Sequence, residues 1–355
     1  MVAVKTSLTL LLATSLLAAT GCGGSASGGS VSSTSGSSTP QSLYVVQTDP
    51  VTGTGSVLQF KAQSNGAVSP VSTFTAPSDV VFSFAVLDNQ GNIYVSDFYW
   101  DSNNDIVSEV RVYPAGATGT ATPTRTIAGS ATGFNLAMSD YGELAIDSSG
   151  QLYVASLNSI SVFAPGANGN VAPIRVISGA STLISSPESI ALDAAGNLYV
   201  ANQESIVPAG VENTILVFSP TATGNATPTR VISIGGLASE MGVPYGVAVD
   251  SAGDIFATLN GGNENLGIVE YGPGASGIAT PIRTIAQDST GLLGRAYGGI
   301  AIDASGNIYV ATSDFSSGTP AIVTYAPSAS GNATPTSVIT SPEWTSVYEE
   351  QLFLQ

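Results

Sequence analysis

Histidine is missing from all 355 residues, and cysteine occurs once. The first absence removes imidazole acid–base catalysis, Ser-His-Asp triads and His metal ligands together. The second rules out an intramolecular disulfide and a Cys-based zinc site. Positive charge is almost as scarce: Lys and Arg number 8 against 25 Asp and Glu, a net charge of −17. A surface of that sign repels phosphate backbones, so nucleic acid is excluded as a partner. What remains is apolar and turn-forming, with 43% hydrophobic residues, 40 glycines and 19 prolines. That supply suits a large core cut into short elements.

The lone cysteine closes a leader. Lys5 precedes an apolar run from Leu8 to Ala19, and Thr20-Gly21-Cys22 follows. A positive start, an apolar middle and small residues before a cut site make an export signal, and the run is too short to span a bilayer comfortably. Ala18-Ala19-Thr20-Gly21-Cys22 resembles the lipobox of bacterial lipoproteins. The resemblance implies a signal peptide over 1–21, lipidation of Cys22 and a lipid anchor in the cell envelope. Gly23 after the cysteine implies the outer membrane where the host has one. Residues 22–40 then carry the lipidated cysteine and a Gly/Ser tether with nothing to bury. Such a coil reaches roughly 25 Å.

From residue 41 the chain repeats. Five segments read apolar strand, turn, second strand, with turn aspartates Asp88, Asp147, Asp193, Asp250 and Asp303. Each is followed three residues later by a glycine: Gly91, Gly150, Gly196, Gly253 and Gly306. Asp at the first place of a type I turn and Gly at the fourth close a hairpin, so these carboxylates read as structural. Each hairpin is followed by a third strand, a Pro/Gly-rich turn and an outer strand, with Pro123, Pro173, Pro228, Pro281 and Pro335 near the start of the last. Proline is tolerated on an edge strand. Four antiparallel strands per unit make one blade of a β-propeller. The first repeat lacks its inner strand, and a segment around Trp344 to Tyr348 at the other end is expected to supply it. Residues 41–355 are therefore expected to form an all-β, six-bladed β-propeller of four-stranded antiparallel blades, closed by N- and C-terminal strands sharing one blade. The GNIYVSD-type segments and the strands before them resemble NHL-repeat propellers and, more loosely, gluconolactonase-like six-bladed propellers. The resemblance implies the fold over residues 43 to 348. It implies little about activity, because this fold hosts enzymes, binders and scaffolds alike.

Function should sit on the loops that vary between repeats. The longest, Ser96 to Glu109, carries Asp97, Tyr99, Trp100, Asp101, Asn103, Asn104 and Asp105. Other loops carry Asn202, Gln203 and Glu204, then Asn260, Asn263, Glu264 and Asn265, then Asp314. Asp101 to Asp105 lacks the glycine and distal glutamate of a calcium loop. Trp100 could stack on a sugar or peptide, or cover its own blade. Glu143, Glu188 and Glu343 fall at inner-strand entrances, with Tyr245 at the same place in another blade. Such carboxylates could hold Ca²⁺, as the metal site of gluconolactonase-like propellers does, or form a hydrated acidic rim. Arg125, Arg175, Arg230 and Arg283 form a repeat-locked column, which reads as inter-blade hydrogen bonding. Arg295 is the cation placed to meet an anionic ligand. Two readings follow. One is a monomeric, non-catalytic envelope module that binds protein, peptide or glycan on its loop face, needs no cofactor and meets the membrane through its lipid. The other is a Ca²⁺-dependent hydrolase or lactonase using carboxylates at the pore mouth.

Overall fold

The computed structural model describes residues 41–49, 52–77, 80–134, 142–203, 213–234, 243–260, 267–286, 299–313, 319–344 and 351–354. Cys22 with its leader, the tether, Glu204, Asn263, Glu264, Asn265, Arg295 and Asp314 lie outside the described residues.

Six antiparallel sheets form six blades, and apart from two short 3-10 turns the described elements are all strands. Blade 2 shows the plan. Its inner strand is Val81–Leu87, its second Ile93–Trp100, its third Ile106–Tyr113 and its outer Arg125–Ile127. The apolar alternation faces both ways, since each blade is covered by a neighbour on each side. Most regular is an aromatic at, or in blade 1 next to, the end of the third strand. It is Phe60, Tyr113, Phe163, Phe218, Tyr271 or Tyr325 around the ring, each at most 1% exposed. Each is paired with the first apolar residue of the second strand, as Ile93 with Tyr113 and Leu198 with Phe218. An aromatic at a fixed place in every blade fills the widening space between blades.

The inner hairpins turn as the sequence predicts. Asp193 Oδ1 accepts the backbone N–H groups of Ala195 and Asn197 at 2.9 and 2.8 Å, and its Oδ2 accepts Asn197 Nδ2 at 2.7 Å. Gly196 follows at φ +82°, a conformation that costs glycine nothing and costs most other residues strain. The other four turns repeat this pattern around Asp88, Asp147, Asp250 and Asp303.

The ring closes by pairing of its two ends. Gln351–Leu354 pairs antiparallel with Leu43–Val46, which continues into Gly55–Lys61 and Ser72–Thr75 as blade 1. The shared blade is as expected; its inner strand is Gln351–Leu354, further along than the segment around Trp344 to Tyr348 that the sequence suggested, of which residues 345–348 lie outside the described residues. Trp344 instead tucks against Phe60 with ring centroids 5.4 Å apart, and Gln47 Nε2 donates to the Glu343 carbonyl. Trp344 is the bulkiest apolar side chain of that stretch, and it is used as a plug under blade 1, leaving the LFL triplet to form the strand.

Each blade is fastened to the next. The turn before the outer strand lies parallel to the preceding outer strand, as in Phe74 against Gly119, Ile232 against Gly277 and Ile339 against Gly66. Bridges from Ile127 to Gly169, Ile177 to Gly224 and Ile285 to Gly331 complete the six junctions. The arginine column adds side chains to three kinds of contact. Arg230 NH1 donates to the carbonyls of Pro273 and Ala275 in the next blade at 2.8 and 3.0 Å, and NH2 donates to Tyr199 Oη at 3.0 Å. Its guanidinium also lies 5.6 Å from the Tyr199 ring centre. Arg125 and Arg175 repeat this over Tyr94 and Tyr153. Where blade 5 has Phe256 in place of tyrosine, Arg283 keeps the ring contact and pairs with Glu270. In blade 1 a shorter chain replaces the arginine: Ser72 Oγ donates to Gln59 Oε1, and Gln59 Nε2 to Ser42 Oγ.

Candidate functional site

Because strands alternate in direction, all Asp turns and Pro/Gly turns lie on one face of the disc. The links from second to third strand and from outer to next inner strand lie on the other. The first face is nearly invariant. The second varies from a two-residue link, Leu157-Asn158, between Ser156 and Ser159 to the segment 203–213 between Asn202 and Thr214.

Where the inner strands start on this loop face, three carry a bulge among the described residues. The extra residue is Ser83 between Phe82 and Phe84, Glu188 between Pro187 and Ser189, and Tyr245 between Pro244 and Gly246. A bulge re-aims its side chain and leaves an N–H to satisfy. Second-strand hydroxyls do this in two blades: Phe84 N–H donates to Ser96 Oγ at 3.0 Å and Gly246 N–H to Thr258 Oγ1 at 2.8 Å. Glu188 is buried and Tyr245 half-buried.

Glu143 is completely buried in blade 3, one position further along than Glu188. Ser189 of blade 4 donates its hydroxyl to Glu143 Oε1 at 3.3 Å and accepts the Val247 N–H of blade 5 at 3.2 Å. Burial pushes the Glu143 carboxyl well above the usual range; the Ile190 N–H and Ser189 hydroxyl pull it down, and the Glu188 charge pushes it up. Ser189 thus links the inner strands of blades 3, 4 and 5, with Glu143 as its acceptor in blade 3. Glu143 and Glu188 do come together, on neighbouring blades. Glu343 stands exposed in the turn after the outer strand of blade 6. Among the described residues no three acidic side chains gather to hold a metal. Of the three, Glu143 and Glu188 are neighbours and Glu343 lies apart on the turn after blade 6; Glu143 Oε1 accepts from Ser189, and the Ile190 N–H also bonds its carboxyl.

Asn202 is also structural: its Oδ1 accepts the Ser185 N–H at 2.8 Å, and its Nδ2 donates to the Leu183 carbonyl.

The Ser96–Glu109 segment is no loop. Eight-residue strands run out to Trp100 and back from Ile106, with only Asp101 to Asp105 turning. The aromatic run Phe98-Tyr99-Trp100 opposite Ile106-Val107 carried that signal, because these residues suit a pleated strand. Asp101 caps the turn as the inner aspartates do. Its Oδ1 accepts the N–H groups of Asn103 and Asp105 at 2.8 and 2.9 Å, and Asn104 takes the glycine place at φ +63°. Those bonds from Asp105 and Asn103 lower the Asp101 pKa. Trp100 remains 42% exposed, edge-on to Phe98 at 5.5 Å.

Beneath this hairpin lies a group of charges that sequence reasoning missed. Asp97 and Glu109 face each other across the strand pair, 1% and 5% exposed. Arg111 pairs with Glu109 and has Nε 3.7 Å from Asp97 Oδ2. Neither Asp97 oxygen accepts a hydrogen bond, and Arg111 NH1 and Tyr113 Oη are likewise without a partner. Burial raises the Asp97 pKa well above its ordinary value; Arg111 opposes this and Glu109 adds to it. Tyr113, buried beside them, is pushed up to about 12. Two carboxyls and one guanidinium in a water-poor seam favour one neutral carboxyl.

No family model matches the chain, and no curated protein matches it. Among solved structures, similar chains occur in the mitotic checkpoint complex (14% identity, 84% of this chain and 79% of that one, TM-score 0.47). They occur also in hydrazine synthase of Kuenenia stuttgartiensis (16%, 68% and 62%, 0.44) and the WD40 domain of coronin from Toxoplasma gondii (12%, 84% and 68%, 0.44). At these values the likeness says nothing of activity or partner.

Proposed function

We propose that the chain is a lipid-anchored envelope propeller of the NHL type that binds a macromolecular partner on its loop face and performs no catalysis. One observation carries this reading: the two faces are built differently. One repeats the same capped turn in five blades, and the other varies in every blade. Variation confined to one face of a rigid scaffold is how binding surfaces are made. The buried ionisable groups support the same reading, because Glu143 accepts from Ser189 of the neighbouring inner strand and the arginine column clamps the blades at the outer rim. The leader ending at Cys22 and the tether behind it support an anchor that holds the disc off a lipid surface.

The test is site-specific photo-crosslinking in intact cells. Probes at Trp100 and Asn158 on the loop face should capture a partner, and probes at Asn89 and Thr118 on the turn face should not. Equal capture from both faces, or none, would overturn the reading. Separately, Cys22→Ser should move the protein from the membrane fraction to the soluble fraction; retention in the membrane would refute the anchor.

A further inference from the structure

In blade 2 the third strand runs well past its outer strand. Its third strand, Ile106–Tyr113, is paired with the outer strand Arg125–Ile127 only over Val110 to Val112. In blades 1, 3 and 4 the outer strand reaches the loop-face end of the third, as in Ser56 with Thr75, Ser159 with Ser178 and Thr214 with Ser233. In blade 2, Ile106 to Glu109 run on past it.

Two of these residues present their backbone outward. The Val112 carbonyl accepts the Thr124 N–H at 2.7 Å on the outer side, and in a strand this direction recurs every second residue. Val110, Ser108 and Ile106 therefore point outward, and among the described residues only Val110 has an outer-strand partner. Ile106, Val107 and Ser108 are half-buried, and none carries the lysine, proline or bulge with which proteins blunt a free edge. Blade 6, whose third strand also overruns its partner, has Pro320 at the end.

The hairpin is stiff enough to act as a template. Asp101 caps its tip. At its base Arg111 pairs with Glu109 and lies 5.8 Å from the Tyr99 ring centre. Trp100 is the direct cross-strand partner of Ile106. It lies on the same sheet face as Ile106 and Ser108, so alternate side chains of an added strand would meet an apolar strip. The tip is acidic, with Asp101 and exposed Asp105, and the one cation of the hairpin, Arg111, is engaged below.

Resting on the loop-face reading above, we propose that the free edge from Ile106 to Ser108, beside Trp100, receives an extended basic segment of a partner protein as an added β-strand. Main-chain bonds to Ile106 and Ser108 provide affinity, and the tip carboxylates select positive charge. A second copy is disfavoured as occupant, since two chains of net charge −17 would bring two acidic tips together.

The test uses the full mature chain bearing Cys22→Ser and three synthetic ten-residue peptides, followed by calorimetry. The first alternates Lys and Val, the second alternates Glu and Val, and the third is the Lys/Val peptide N-methylated on alternate amides. The Lys/Val peptide should bind, at least tenfold more tightly than either other. Ser108→Pro should lose that difference while Asp88–Gly91 and the rest of the disc melt as before. Asp105→Lys should weaken the Lys/Val peptide severalfold. Equal binding of the N-methylated peptide, absence of binding by all three, or concentration-dependent dimerisation that Ser108→Pro abolishes would overturn the proposal. If Ser108→Pro fails to fold, the N-methylated peptide still decides. Crosslinks from Asn158 but none from a probe at Ser108 would sink this inference and leave loop-face binding standing. No crosslinks from either would sink both.

Discussion

Asp97 is the residue at which burial and charge conflict most. It is fully enclosed, accepts no hydrogen bond, and shares one guanidinium with Glu109. Its folded pKa is raised above the unfolded value of about 4. The folded state therefore binds more protons than the unfolded state between those two values. Stability contributed by this site is present below the unfolded pKa and is lost as pH rises through the folded one. Asp97→Asn keeps the shape and removes the charge. Urea midpoints at pH 5 and pH 8 should show the parent losing stability toward pH 8 relative to the variant. Identical pH slopes would mean that Asp97 ionises without cost. The sequence placed Asp97 in a polar loop because Asp and Asn cluster there. What it did not reveal was that Phe98 to Trp100 extend the strand and carry Asp97 under the seam.

At the scale of the element, the arginine column shows how a repeat solves one problem several ways. The carbonyls of the following turn must be satisfied at the rim, and a planar guanidinium reaches two of them while lying over a tyrosine. Arg230→Lys keeps the charge but cannot span Pro273, Ala275 and Tyr199 together. A loss of about 1–2 kcal/mol in denaturant unfolding is expected. No change would show that charge alone suffices at this position. This column was legible in the sequence because it recurs at a fixed place after proline. The bulges at Glu188 and Tyr245 were legible only as aligned positions, since a bulge is a mismatch between two strands and belongs to neither alone.

For the whole molecule, closure decides stability. Each blade is held by its neighbours, so an open ring would leave two edges and two apolar faces bare. Removal of residues 351–355 takes away the inner strand that pairs Leu43 to Val46. The denaturant midpoint of the entire disc should fall, with loss of a single sharp transition. A truncated chain that unfolds at the parent's midpoint would show that the ring closes without this strand.

Blade number, the four-strand plan, the capped turns and the role of the arginines were determined by the sequence itself. Each depends on spacing along the chain and recurs four or five times, so chance patterns cancel. Which terminal segment closes blade 1 was not, because it occurs once; only the packed ring sets Trp344 against Phe60 and makes Gln351–Leu354 the inner strand. The free edge of the blade 2 hairpin and the buried charges beneath it were likewise decided by the tertiary structure. Both arise from where the outer strand stops and which side chains the next blade covers, and these are relations between strands far apart in the chain.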